Sequence, residues 1–125
     1  MMCSAVVLGV CGVLCEFMPD AVLGAFGVPA GAPDMLLVQV LGATYFGFAF
    51  MNWMARGVLI GGIYARPLAL GNFAHFMIAG LALGKHAIAA GGPTVLWAAT
   101  AVYTVFAVIF AIVLFTHPSK GTVAD

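Results

Sequence analysis

One uncharged run, Val95 to Phe115, constrains this chain more than any other feature. It is 21 residues long, and a helix of that length rises about 31 Å, the thickness of one hydrocarbon core. Gly91-Gly92-Pro93-Thr94 precedes it and His117-Pro118-Ser119-Lys120 follows it, so both flanks carry helix-starting or helix-ending chemistry. The rest of the sequence does not restore a water-facing surface. Of 125 residues, 65% are hydrophobic and 6% charged, four cations balance four acids, and the mean hydropathy is +1.20. Too few polar side chains exist to coat a soluble domain. A membrane is the solvent this composition requires.

Three further apolar segments accompany that run, and they predict an all-α polytopic membrane protein. Its architecture is a four-transmembrane-helix antiparallel bundle in a single domain, residues 1–125, with helices over about 3–18, 34–57, 69–90 and 95–116. In the third, Pro67 suits the first turn and Gly91-Gly92 the close. The second runs past one bilayer crossing toward Leu59, and Arg56 can snorkel to the headgroups along its stem. Between the first two lies Pro19 to Ala32, whose short apolar middle, Val22 to Val28, cannot span a bilayer and predicts an interfacial turn. The first apolar run has no Lys or Arg before Arg56, which argues for a retained helix over a cleaved signal.

Charge places the termini. Arg56, Arg66 and Lys120 share the side that holds both ends, while Asp20, Asp34 and Lys85 fall on the other. The positive-inside rule therefore predicts cytoplasmic termini in a bacterial inner (plasma) membrane. Trp53 and Trp97 fall near opposite faces, where indoles prefer to sit. The absence of a basic run excludes nucleic acid as a partner. Membrane lipids, with a second copy or a partner membrane protein, are the expected contacts.

Intramembrane polar groups are the functional candidates, because each is costly unless paired or hydrated. Glu16 either reaches headgroups at the exit of the first helix or, one turn inside, binds a proton or cation. On the second helix Asn52 and Arg56 each fall within about 20° of Tyr45 at 100° per residue, with Gln39 off that stripe. Asn72 and His75 begin the third helix at the depth where Asn52 and Arg56 end the second. With Tyr103, flanked by Thr100 and Thr104, these residues define a polar interior that serves either as an interhelical hydrogen-bond cluster or as a solute or proton site. His75 and His86 lie some 16 Å apart along one axis and cannot share a metal, and His117 falls past the last helix. Cys3, Cys11 and Cys15 crowd one apolar segment with no second cluster to complete a site. The sequence points to no metal, no cofactor and no catalytic motif. Small residues four apart, Gly80 with Gly84, Ala107 with Ala111 and Gly57 with Gly61, mark helix-packing faces, internal or between copies.

An apolar helix, then the stretch Glu16 to Pro29, then a helix leading to an Ala55-Arg56-Gly57 end resemble small bacterial four-helix inner-membrane proteins of the DoxX-like kind. The resemblance rests on Pro19, Gly27, Pro29 and Arg56 and covers about 60 residues. It implies a four-helix bundle with an accessory role and carries over no catalytic residue. The expectation is therefore a small accessory or assembly subunit; the alternative is a proton- or cation-coupled small-solute transporter or channel acting as a dimer.

Overall fold

The computed structural model describes residues 1–57 and 65–116. The candidate positions Gly61, His117 and Lys120, and any extension of the second span to Leu59, lie outside the described residues. Five α-helices follow in order: α1 (Met2–Phe17), α2 (Pro19–Ala25), α3 (Ala32–Met54), α4 (Ala65–Ala90) and α5 (Thr94–Phe115), with a 3-10 turn at Ala55–Gly57 after α3. The chain is all-α over the described residues. Helices α3, α4 and α5 are long and apolar enough to cross a membrane, and α1 with α2 forms a bent fourth candidate, broken by 107°. The result is a multi-pass membrane bundle of three long apolar spans, four where α1 with α2 makes one more, consistent with a transmembrane four-helix bundle.

Local chemistry explains the breaks. Pro19 cannot continue α1 and opens α2. Helix α2 ends in a Schellman motif: Val28 N–H donates to Leu23 O at 2.9 Å and Gly27 N–H to Gly24 O at 3.0 Å, with Gly27 at φ +74°. Pro33 and Asp34 occupy the first turn of α3, where a missing N–H and a negative charge are both favourable. Helix α4 starts at Ala65, four residues before the expected 69, and takes Pro67 into its first turn. Gly91, at φ +56°, makes the turn into α5.

The bundle is two tight hairpins joined along a looser seam. Helix α1 runs along α3 and α4 along α5, while α3 and α4 touch more sparingly. The first hairpin closes at Gly12 and Gly42. A Cβ at Gly42 would stand 3.0 Å from Cys15 Cβ and 3.2 Å from the Gly12 carbonyl oxygen. The two backbones are therefore in contact there, as small residues permit where lipid supplies no hydrophobic drive. In the second hairpin a Cβ at Gly80 would meet Tyr103 Cβ at 3.4 Å, and one at Gly84 would meet Thr100 Cγ2 at 3.3 Å. Ala107 is buried on α5, and Ala111 half-buried. Between the hairpins, Leu8, Ala49, Phe76, Tyr103, Ala107 and Phe110 form one buried cluster. Its centre is aromatic: Phe76 stacks on Phe106 and Phe110 with ring centroids at 4.9 and 5.8 Å.

Candidate functional site

The seam between the hairpins holds the polar interior. Asn52, two residues before the end of α3, and Asn72, in the second turn of α4, are both fully buried. Each side-chain amide donates to the other's Oδ1 at 2.7 Å, and Asn72 Nδ2 also donates to Leu68 O at 2.9 Å. A reciprocal amide pair satisfies the strongest donor and acceptor of both side chains. Antiparallel neighbours place these residues at one depth, and that geometry makes the pair.

About seven residues deeper along α3, some 10 Å at helical rise, Tyr103 of α5 donates its hydroxyl to that of Tyr45 at 2.6 Å. His75 lies beside this bond. Its ring stacks on Phe48 at 4.7 Å and stands 5.8 Å from the Tyr45 ring and 5.7 Å from that of Tyr103. His75 Nε2 is buried without a hydrogen-bond partner among the described residues.

Tyr45, Asn52, Asn72, His75 and Tyr103 thus line one seam, whereas Arg56 and Glu16 stand apart from it. Arg56 faces outward: Nη1 donates to Trp53 O at 2.8 Å and the guanidinium lies 4.6 Å over the Trp53 ring. The wheel that grouped it with Asn52 assumed 100° per residue, but the helix tightens to 3-10 at Ala55–Gly57 and turns Arg56 away. Cation and indole together suit an interfacial anchor. Glu16 is half-buried on the first hairpin, one residue from the end of α1. Its carbonyl accepts from Gln39 Nε2 at 3.3 Å. Gln39, set off the polar stripe by its position on the wheel, caps an orphan carbonyl of α1 instead. Among the described residues no cluster of three His, Cys, Asp or Glu could hold a metal, and the three cysteines are free.

The tyrosine pair is testable by a cycle. Tyr103→Phe removes the donated bond and keeps the ring on Phe76, whereas Tyr45→Phe leaves the Tyr103 hydroxyl without its acceptor. Each is expected to cost about 0.6 to 1.7 kcal/mol of unfolding free energy in detergent micelles. The double variant should cost less than the sum; strict additivity would show that the bond contributes nothing.

Among the described residues, two apolar clefts open on the outer face of the helices. One, of about 430 Å³, lies beside His75 and Phe48 with Ala79 and Ala82. The other, about 530 Å³, is a groove between α4 and α5. No family model matches this chain, and no curated protein or solved structure matches it either.

Proposed function

We propose that this protein is a small accessory or assembly subunit of the membrane, acting through its lipid-facing surface on a partner membrane protein or a second copy. The observation that carries the reading is the pairing of four of the five seam residues, Asn52 with Asn72 and Tyr45 with Tyr103. Asn52 and Asn72 spend their amides on each other, the Tyr103 hydroxyl donates to that of Tyr45, and Leu8, Phe76 and Phe110, at 0 to 2% exposure, pack in one cluster with Tyr103. A solute path needs polar groups that face water, whereas satisfied pairs fix packing. The DoxX-like resemblance of Glu16 to Arg56 supports the same role. The distribution of Arg56 and Arg66 supports cytoplasmic termini in a bacterial inner membrane.

The unpartnered Nε2 of His75 favours a second reading, in which the protein is a dimeric proton- or cation-coupled transporter or channel. Liposomes carrying the purified protein and a pH gradient separate the two. The accessory reading expects proton flux at the level of empty liposomes for both the native chain and Glu16→Gln. It also expects a membrane protein that copurifies in fixed stoichiometry when either partner is tagged. Proton flux in the native chain above that of empty liposomes would overturn it, and its loss in Glu16→Gln would assign it to that carboxylate.

A further inference from the structure

From the groove between α4 and α5 we infer that this protein holds one anionic phospholipid, with an acyl chain in the groove and the phosphate at Lys85. The groove exists because its floor is lined by small residues. Gly80 and Gly84 on α4 stand close against Tyr103 and Thr100 of α5, and Ala107 and Ala111 further along α5 continue the trough. Its rims are exposed and apolar: Met77, Leu81 and Ile88 on one helix and Val108 on the other. At the deep end Phe73 lines the trough and reaches Phe115 edge-to-face at 6.4 Å, tying the two helices together.

The length, volume and polarity suit a hydrocarbon chain. From Lys85 to Phe73 is twelve residues, about 18 Å at helical rise, slightly more than the ~15 Å depth of one leaflet's hydrocarbon. The volume, about 530 Å³, lies within the range of ligand sites, ~300 to 1,000 Å³. The two threonines lining the groove need nothing from an occupant, because Thr100 donates to Leu96 O and Thr104 to Thr100 O, each at 2.8 Å. Lys85 apart, no side-chain donor of the trough is left for a polar guest.

Charge selects the headgroup. Lys85 is the one charged residue lining the groove, and it is exposed, five residues before the end of α4. Its ammonium can rise to phosphate depth along its aliphatic stem. The described acids, Glu16, Asp20 and Asp34, all belong to α1, α2 and α3, so none shares a helix with Lys85. A second copy of the chain is the weaker occupant, because Gly80 and Gly84, the residues a helix–helix seam between copies would use, already face Tyr103 and Thr100 of α5.

The test places one reporter, Met77→Trp, in the full chain after Trp53→Phe and Trp97→Phe. The protein is reconstituted in phosphatidylcholine vesicles that contain phosphatidylglycerol or phosphatidylcholine with acyl chains brominated at mid-depth. Brominated phosphatidylglycerol should quench the reporter with an apparent association about fivefold stronger than brominated phosphatidylcholine, the preference one cation near the surface supports. Lys85→Gln should bring the ratio to about one. Ala111→Phe, which fills the trough and leaves the cation, should do the same; helical circular dichroism checks that each variant is folded. Equal quenching by both lipids in the native groove would overturn the inference. So would a preference that survives Ala111→Phe, which would reduce Lys85 to general attraction of surrounding lipid.

Discussion

Replacing Gly42 with leucine is expected to separate α1 from α3 and to cost about 3 kcal/mol of unfolding free energy, at the upper end for overpacking. The reason is backbone contact. The first added carbon already stands 3.0 Å from Cys15 Cβ and 3.2 Å from the Glu16 amide nitrogen, and neither can swing aside as the tip of a long side chain could. Unfolding in mixed micelles, followed by circular dichroism, reads the loss. Alkylation of Cys15 in a Cys3→Ala, Cys11→Ala background reads the separation, since that thiol is buried, with 5% residual exposure. Gly47→Leu is the control: a Cβ there meets nothing within 4 Å, so it should change stability by less than about 0.5 kcal/mol. Equal losses at Gly42 and Gly47 would mean that the crossing is not close.

Asn52→Leu should cost about 1 to 3 kcal/mol, more than the mean interhelical hydrogen bond in a membrane, because it strands a buried partner. Asn72 loses both its acceptor and the donor to its Oδ1 when Asn52 goes, and keeps only its bond to Leu68 O. Asn72→Leu strands Asn52 in the same way and also removes the bond to Leu68. The double leucine variant removes both amides, so its loss should fall well short of the sum of the two. Losses that add, measured in the same micelles, would show that the amides act independently.

The spans were legible because a bilayer imposes one rule on composition and length. Long apolar runs, proline at Pro33, Pro67 and Pro93, and the Gly91-Gly92 break mark them without any knowledge of packing. The depth of Asn52 and Asn72 was legible too, since two consecutive antiparallel helices share their turn end. The partnership of Tyr45 with Tyr103 was harder to read: it joins α3 to α5 and depends on how each helix is rotated, which spacing within one helix does not specify. The Gly12–Gly42 crossing escaped for another reason. Sixteen glycines in 125 residues produce small-residue pairs everywhere, and only the contact distinguishes a crossing from an open glycine such as Gly47. Arg56 was misgrouped because a helical wheel does not anticipate the 3-10 turn that rotates it.

The unequal joints of this bundle bear on how the chain assembles. Each half buries its own backbone contacts and can form as a helical pair when it enters the bilayer, before the other half is present. The aromatic rings and the two polar bridges then act as a latch engaged by lateral docking, the later stage of membrane folding. A break in the chain between the halves should therefore be tolerated, with two separately made pieces recombining into the native arrangement.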